Sequence, residues 1–131
     1  GPGSPDGPGS TDGPGSTGLE SGHGGVYRIL TPVEAVTERL SADGWRVAVL
    51  PEVARTRDFY AALVTALDLP SYTGANLDAL WDALTDLREP TAVVWRRYAT
   101  YATARPDRWT RILAVLQERS ELDPPFALVL T

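Results

Sequence analysis

The chain contains no cysteine. It can build no disulfide framework, offers no thiol nucleophile and has no cysteine-based metal site, a usage that fits a reducing cytosol. Histidine is nearly absent as well. The one copy, His23, sits among glycines, which excludes histidine-dependent triads and multi-histidine metal sites. Lysine is missing altogether; all twelve basic residues are arginine, which reads as the codon bias of a GC-rich genome and carries no functional weight. No run approaches the ~18 apolar residues of a membrane span, and no charged-then-apolar leader opens the chain. The expectation is a soluble, cytoplasmic protein with no membrane partner and no cofactor or metal.

What is present is unevenly placed. Ten of the twelve glycines fall in the first 25 residues, where DGPGST occurs twice in succession, at 6–11 and 12–17. Such a segment cannot bury enough apolar area to offset its ordering entropy, so a disordered tail is expected over 1–25 and one folded domain over 26–131. The net charge of −5 is also local. The tail holds Asp6, Asp12 and Glu20 without an arginine, leaving the domain only mildly acidic. Inside the domain, Asp58 to Leu87 carries five aspartates and no arginine.

Periodicity predicts alternating strands and helices. Strands are expected at 26–30, 45–50, 91–95 and 126–130, where β-branched and apolar residues cluster. Thr31-Pro32-Val33-Glu34 has the form of a capping box with proline at the first helical position, opening a helix that stops near Gly44. A helix over 56–68 carries Phe59, Leu63, Val64 and Leu67, and Pro70 is expected to end it. After the third strand, 98–104 reads as a short helix or turn. Pro106 opens a longer helix with Trp109, Ile112, Leu113 and Leu116 on one face, broken by Pro124-Pro125. Strands separated by helices imply a parallel sheet in an α/β fold. The arginines from Arg88 to Arg119 are scattered among core positions and read as a solvated surface, so no nucleic-acid partner is expected.

The most informative stretch is LPSYTGANLDALWDALTDL, from Leu69 to Leu87. Asn76 occupies an N-cap position and the helix begins at Leu77. Leu77, Leu80, Leu84 and Leu87 form one stripe, while Asp78, Asp82 and Asp86 form another at i, i+4 and i+8. Neighbouring carboxylates on that stripe repel by roughly 0.2–0.5 kcal/mol per pair. The helix dipole favours Asp78 in the first turn and opposes Asp86 in the last. Trp81 lies between the two stripes. Two readings stand side by side: a solvated polar face with a partly buried tryptophan, or a surface shaped for a cationic partner.

The segment LP-x-Y-x-G-x-NLDALWD-x-LT closely resembles the barstar family of ribonuclease inhibitors, and the likeness extends more weakly from Trp45 to Thr131. It implies a three-layer fold with a small parallel sheet packed with helices, to which 26–43 would add an N-terminal strand and helix. It further implies an intracellular inhibitor, not an enzyme, that plugs the active site of a secreted, barnase-like, guanyl-specific ribonuclease in a one-to-one complex. By the resemblance, Asp82 enters the phosphate site, Asp78 meets neighbouring basic and backbone groups, and Tyr72 packs on the catalytic histidine. Gly74 and Asn76 shape the contact loop, Thr85 is a flanking contact, and Glu118 matches an outlying acidic contact; Trp81, beside the carboxylates, is counted with the ribonuclease-binding residues. Asp86 departs from the family, standing where a glycine precedes a tryptophan, and is expected to add a carboxylate to the face. Thr73 replaces a second loop tyrosine, and Leu122, beside Glu121, replaces a second glutamate. These departures bear on which enzyme is bound more than on how.

Two other readings use the same residues. An enzyme would employ Asp78 and Asp82, or Asp82 and Asp86, as an acid/base pair, but three aspartates on a convex helix provide no cleft to raise a pKa. Alternatively, the domain is an immunity or regulatory module for a partner that is not a ribonuclease.

Overall fold

The computed structural model describes residues 22–131. The glycine-rich repeats, and with them most of the expected tail, lie outside the described residues. The last four tail positions are described, and Gly25 already opens the first strand.

Four parallel strands form one sheet in the order β1-β4-β3-β2: β1 (Gly25–Arg28), β2 (Arg46–Leu50), β3 (Thr91–Trp95) and β4 (Phe126–Leu130). Five helices connect them, α1 (Val33–Ala42), α2 (Thr56–Leu67), α3 (Leu77–Thr85), α4 (Tyr98–Ala104) and α5 (Pro106–Arg119), with a 3₁₀ turn at Ser71–Gly74 before α3. The central strands β3 and β4 are buried at every position, as expected for a parallel sheet covered on both faces.

Strand alternation divides the core into two clusters. On one face Leu50, Val93, Trp95, Phe126, Leu128 and Leu130 meet α2, α3 and α5. An aromatic group fills its centre: Phe59 stacks on Trp95 at 4.6 Å, and Trp109 meets Trp95 edge-on at 5.3 Å. On the other face Trp45, Ala92, Val94, Ala127 and Val129 pack with Leu40, Val33 and Val36 of α1. The N-terminal strand and helix thus do more than extend an edge. They complete the third layer.

The helix boundaries have readable causes. Gly44, at φ +90°, is the left-handed residue after α1, and the amide of Trp45 donates back to the Leu40 carbonyl at 2.9 Å. The expected capping box at Thr31 is not formed. Pro32 is the N-cap, no side chain caps the helix, and Glu34 sits in the first turn, where the dipole favours it. Nor does Pro70 end α2. Asp68 does so by adopting φ +53°, while the Leu69 amide donates to the Val64 carbonyl at 3.0 Å, a Schellman closure two residues earlier.

Candidate functional site

The run from Ser71 to Asp86 folds as one loop-helix unit on the outside of the domain. Asn76 caps α3 as expected: its Oδ1 accepts from the Ala79 amide at 2.8 Å. That satisfies one of the four orphan donors of the helix start and is worth about 1 kcal/mol. Leu80 and Leu84 are fully buried, and Ala83 and Leu87 nearly so. This apolar stripe fixes the rotation of α3, turning Asp78, Asp82 and Asp86 outward, where all three are exposed.

Among the described residues, none of these three carboxylates accepts a side-chain hydrogen bond or forms an ion pair, although Arg46 and Arg88 line the same surface pocket as Asp86. Asp86 is the C-cap of α3, at the end where the dipole disfavours an anion. The ridge is therefore held in no ion pair at the surface, which leaves its charge available to a partner. Trp81 is half-buried beside it, and Thr85, also half-buried, donates its hydroxyl to the Asp82 carbonyl at 3.0 Å.

The preceding turn is pinned from below. Thr73 is fully buried and donates its hydroxyl to the Pro70 carbonyl at 2.6 Å. Gly74 rests on α2 so closely that a Cβ there would lie 3.2 Å from Tyr60 Cβ and 3.3 Å from its Cγ. Its φ is not left-handed, so glycine serves the close approach and not a special turn. Tyr60 beneath it is buried, and burial pushes its phenol up from the ordinary range, with Arg108 pulling it back and Tyr101 adding to the rise. Above this floor Tyr72 stays 48% exposed, large for a tyrosine in an ordered turn.

Glu118, on the last turn of α5, is exposed, and its neighbour Arg119 ties that turn to α3. Arg119 is 1% exposed. Its Nε donates to the Leu84 carbonyl at 2.8 Å, and its Nη1 donates to the carbonyls of Pro124 at 3.0 Å and Leu122 at 3.3 Å. The guanidinium also lies over Phe126, 5.5 Å from the ring centre. Burial lowers its pKa, and Asp123 opposes the shift. Reading the arginines after Arg88 as a solvated surface thus fails at this one. Its phase was the available signal, because Arg119 follows Ile112 and Leu116 on the buried face of α5. Thr73 carried no comparable mark.

Tyr72, Gly74, Asn76, Asp78, Trp81, Asp82, Thr85 and Asp86 thus lie on one loop-helix unit, and Glu118 is exposed on the last turn of α5, which Arg119 ties to α3. Among the described residues no three acidic or histidine side chains group to hold a metal, and no helix is long and apolar enough to cross a membrane. A parallel α/β domain that displays an unpaired acidic helix beside an exposed tyrosine has the form of a protein-binding module. A family model described as barstar (barnase inhibitor) matches residues 45–131. The chain belongs to the barstar family, whose members act as inhibitors and not as enzymes. The match starts at Trp45, so β1 and α1 lie outside it.

Proposed function

We propose that this protein is a stoichiometric inhibitor of a cationic, barnase-like, guanyl-specific microbial ribonuclease, which it blocks with α3 and the turn before it. The observation that carries this reading is the ridge of Asp78, Asp82 and Asp86, exposed and without a cationic partner among the described residues, in a chain of the barstar family. A ribonuclease cleft must be cationic to hold RNA phosphates, and carboxylates at helical spacing present it with substitute anions. Asp82 is the anchor, at the middle of the helix, where a cleft can remove it from water and surround it with arginines. Tyr72 supplies apolar contact beside it, and Glu118 adds a charge at the rim. Asn76 acts through the cap and Gly74 through its seat on Tyr60, both holding the contact surface in shape. The complex is one-to-one and forms in the cytoplasm of the producing cell.

Titrating the activity of a panel of guanyl-specific ribonucleases with the purified chain tests this. A sharp break near equimolar inhibitor is expected for at least one enzyme. Full activity of every enzyme at micromolar inhibitor would instead favour a barstar-fold module that has moved to a different partner.

A further inference from the structure

Arg119 is a costly residue to bury, and its surroundings show what it is placed to do. Among the described residues it forms no salt bridge, its Nη2 has no hydrogen-bond partner, and its other contacts are three carbonyls and the face of Phe126. An apolar side chain of similar volume would fill the site without desolvating a charge, and such replacements are often neutral or stabilising. What the arginine adds is direction. The Leu84 carbonyl belongs to the last turn of α3, two residues from Asp82 and two from Asp86. The Leu122 and Pro124 carbonyls belong to the segment between α5 and β4, and Glu118 is the residue before Arg119 itself.

We infer that Arg119 is a positioning residue for the docking face: its guanidinium locks the C-terminal turn of α3 to the end of α5 and to residues 122–124. Asp82, Asp86 and Glu118 then meet a partner as one rigid surface. The inference rests on reading α3 as the docking face. Its cation also stands against the negative end of the α3 dipole, the end at which the ridge places a further anion, Asp86.

The test compares the full chain with Arg119→Met and Arg119→Lys by amide hydrogen exchange and by dissociation kinetics from the inhibited ribonuclease. In Arg119→Met, exchange at Leu87 and Leu122, whose amides close the turns at Leu84 and Arg119, is expected to accelerate about tenfold while β3 and β4 amides keep their protection. Dissociation from the enzyme should accelerate about tenfold with little change in association. Arg119→Lys keeps the charge and part of the bonding, should fall between, and carries the same comparison should Arg119→Met fail to fold. Unchanged dissociation in a folded variant, or faster exchange spread evenly over the domain, would overturn the inference. If the wild-type chain inhibits no ribonuclease, the docking reading falls, while the exchange pattern still decides the positioning role.

Discussion

Gly74 sits on Tyr60 beneath the turn before α3, and each can be tested alone. In Gly74→Ala the new methyl would press on Tyr60 Cβ and Cγ, atoms held near the α2 backbone, so neither partner can swing away. Even after the entropy alanine removes from the unfolded chain, we expect a loss of about 1 kcal/mol in stability, read as a lowered melting temperature. A variant as stable as the parent would mean that the turn is free to shift outward. Tyr60 gives a pH signature. Its folded pKa is raised, chiefly by burial, so its stabilising contribution is complete below the ordinary value of about 10 and is lost as pH rises through the folded pKa. Tyr60→Phe should therefore flatten the fall of the urea midpoint above that value. An unchanged slope would place the alkaline sensitivity elsewhere, with Tyr27, whose phenol burial also raises, as the next residue to replace.

Among the elements, those read from strong local chemistry are found where the sequence puts them. Asn76 caps α3, Pro106 opens α5, Gly44 closes α1, and β3 and β4 occupy the expected residues. The misses occur where tertiary context outweighs a local pattern. Thr31 has the letters of a capping box, yet the chain leaving β1 starts its helix one residue later. Asp68 turns left-handed before Pro70 is reached, a conformation aspartate tolerates better than most residues. The helix α3 was legible because its apolar and acidic stripes have a strict period; of the support beneath it, Arg119 showed only in its phase behind Ile112 and Leu116, and Thr73, which acts through one hydrogen bond, left no periodic trace. The role of β1 and α1 was equally hidden, since only the three-dimensional sheet shows that α1 covers its second face. Removing residues 1–44 would bare Trp45, Ala92, Val94, Ala127 and Val129. We expect that truncated chain to lose cooperative unfolding or to aggregate, although it retains the whole family match, whereas removing only 1–21 should leave the melting temperature unchanged. A soluble, cooperatively folded 45–131 fragment would refute the three-layer requirement.

At the scale of the molecule, several arginines share one end. Arg28 ends β1, Arg96 and Arg97 follow β3, and Arg105 and Arg108 stand at the start of α5, all at the end of the sheet where the strands finish. Arg28 lies 5.8 Å from the ring centre of Tyr98, which in turn stacks on Trp109 at 5.4 Å, joining these segments. The acidic ridge occupies α3, in a stretch of chain without a single arginine. If the proposed partner is a cationic enzyme, the ridge would attract it and the arginine-bearing end would repel it, orienting the encounter before contact and making association sensitive to salt. Within the ridge the carboxylates are not equivalent: Asp82 is central and Asp86 caps the helix at its rim. In the free protein neither Asp82→Ala nor Asp86→Ala should lower stability, because each relieves i, i+4 repulsion and alanine is the better helix former. The decisive measurement is the affinity of both variants for the inhibited ribonuclease at low and high salt. Asp82→Ala should lose about 4 kcal/mol or more, roughly a thousandfold in Kd, at either salt, as a desolvated hot-spot charge does. Asp86→Ala should lose about 1 kcal/mol or less, mostly in association rate and fading as salt screens it. Equal losses for the two variants, or a loss at Asp82 that salt abolishes, would contradict a docking face anchored on Asp82.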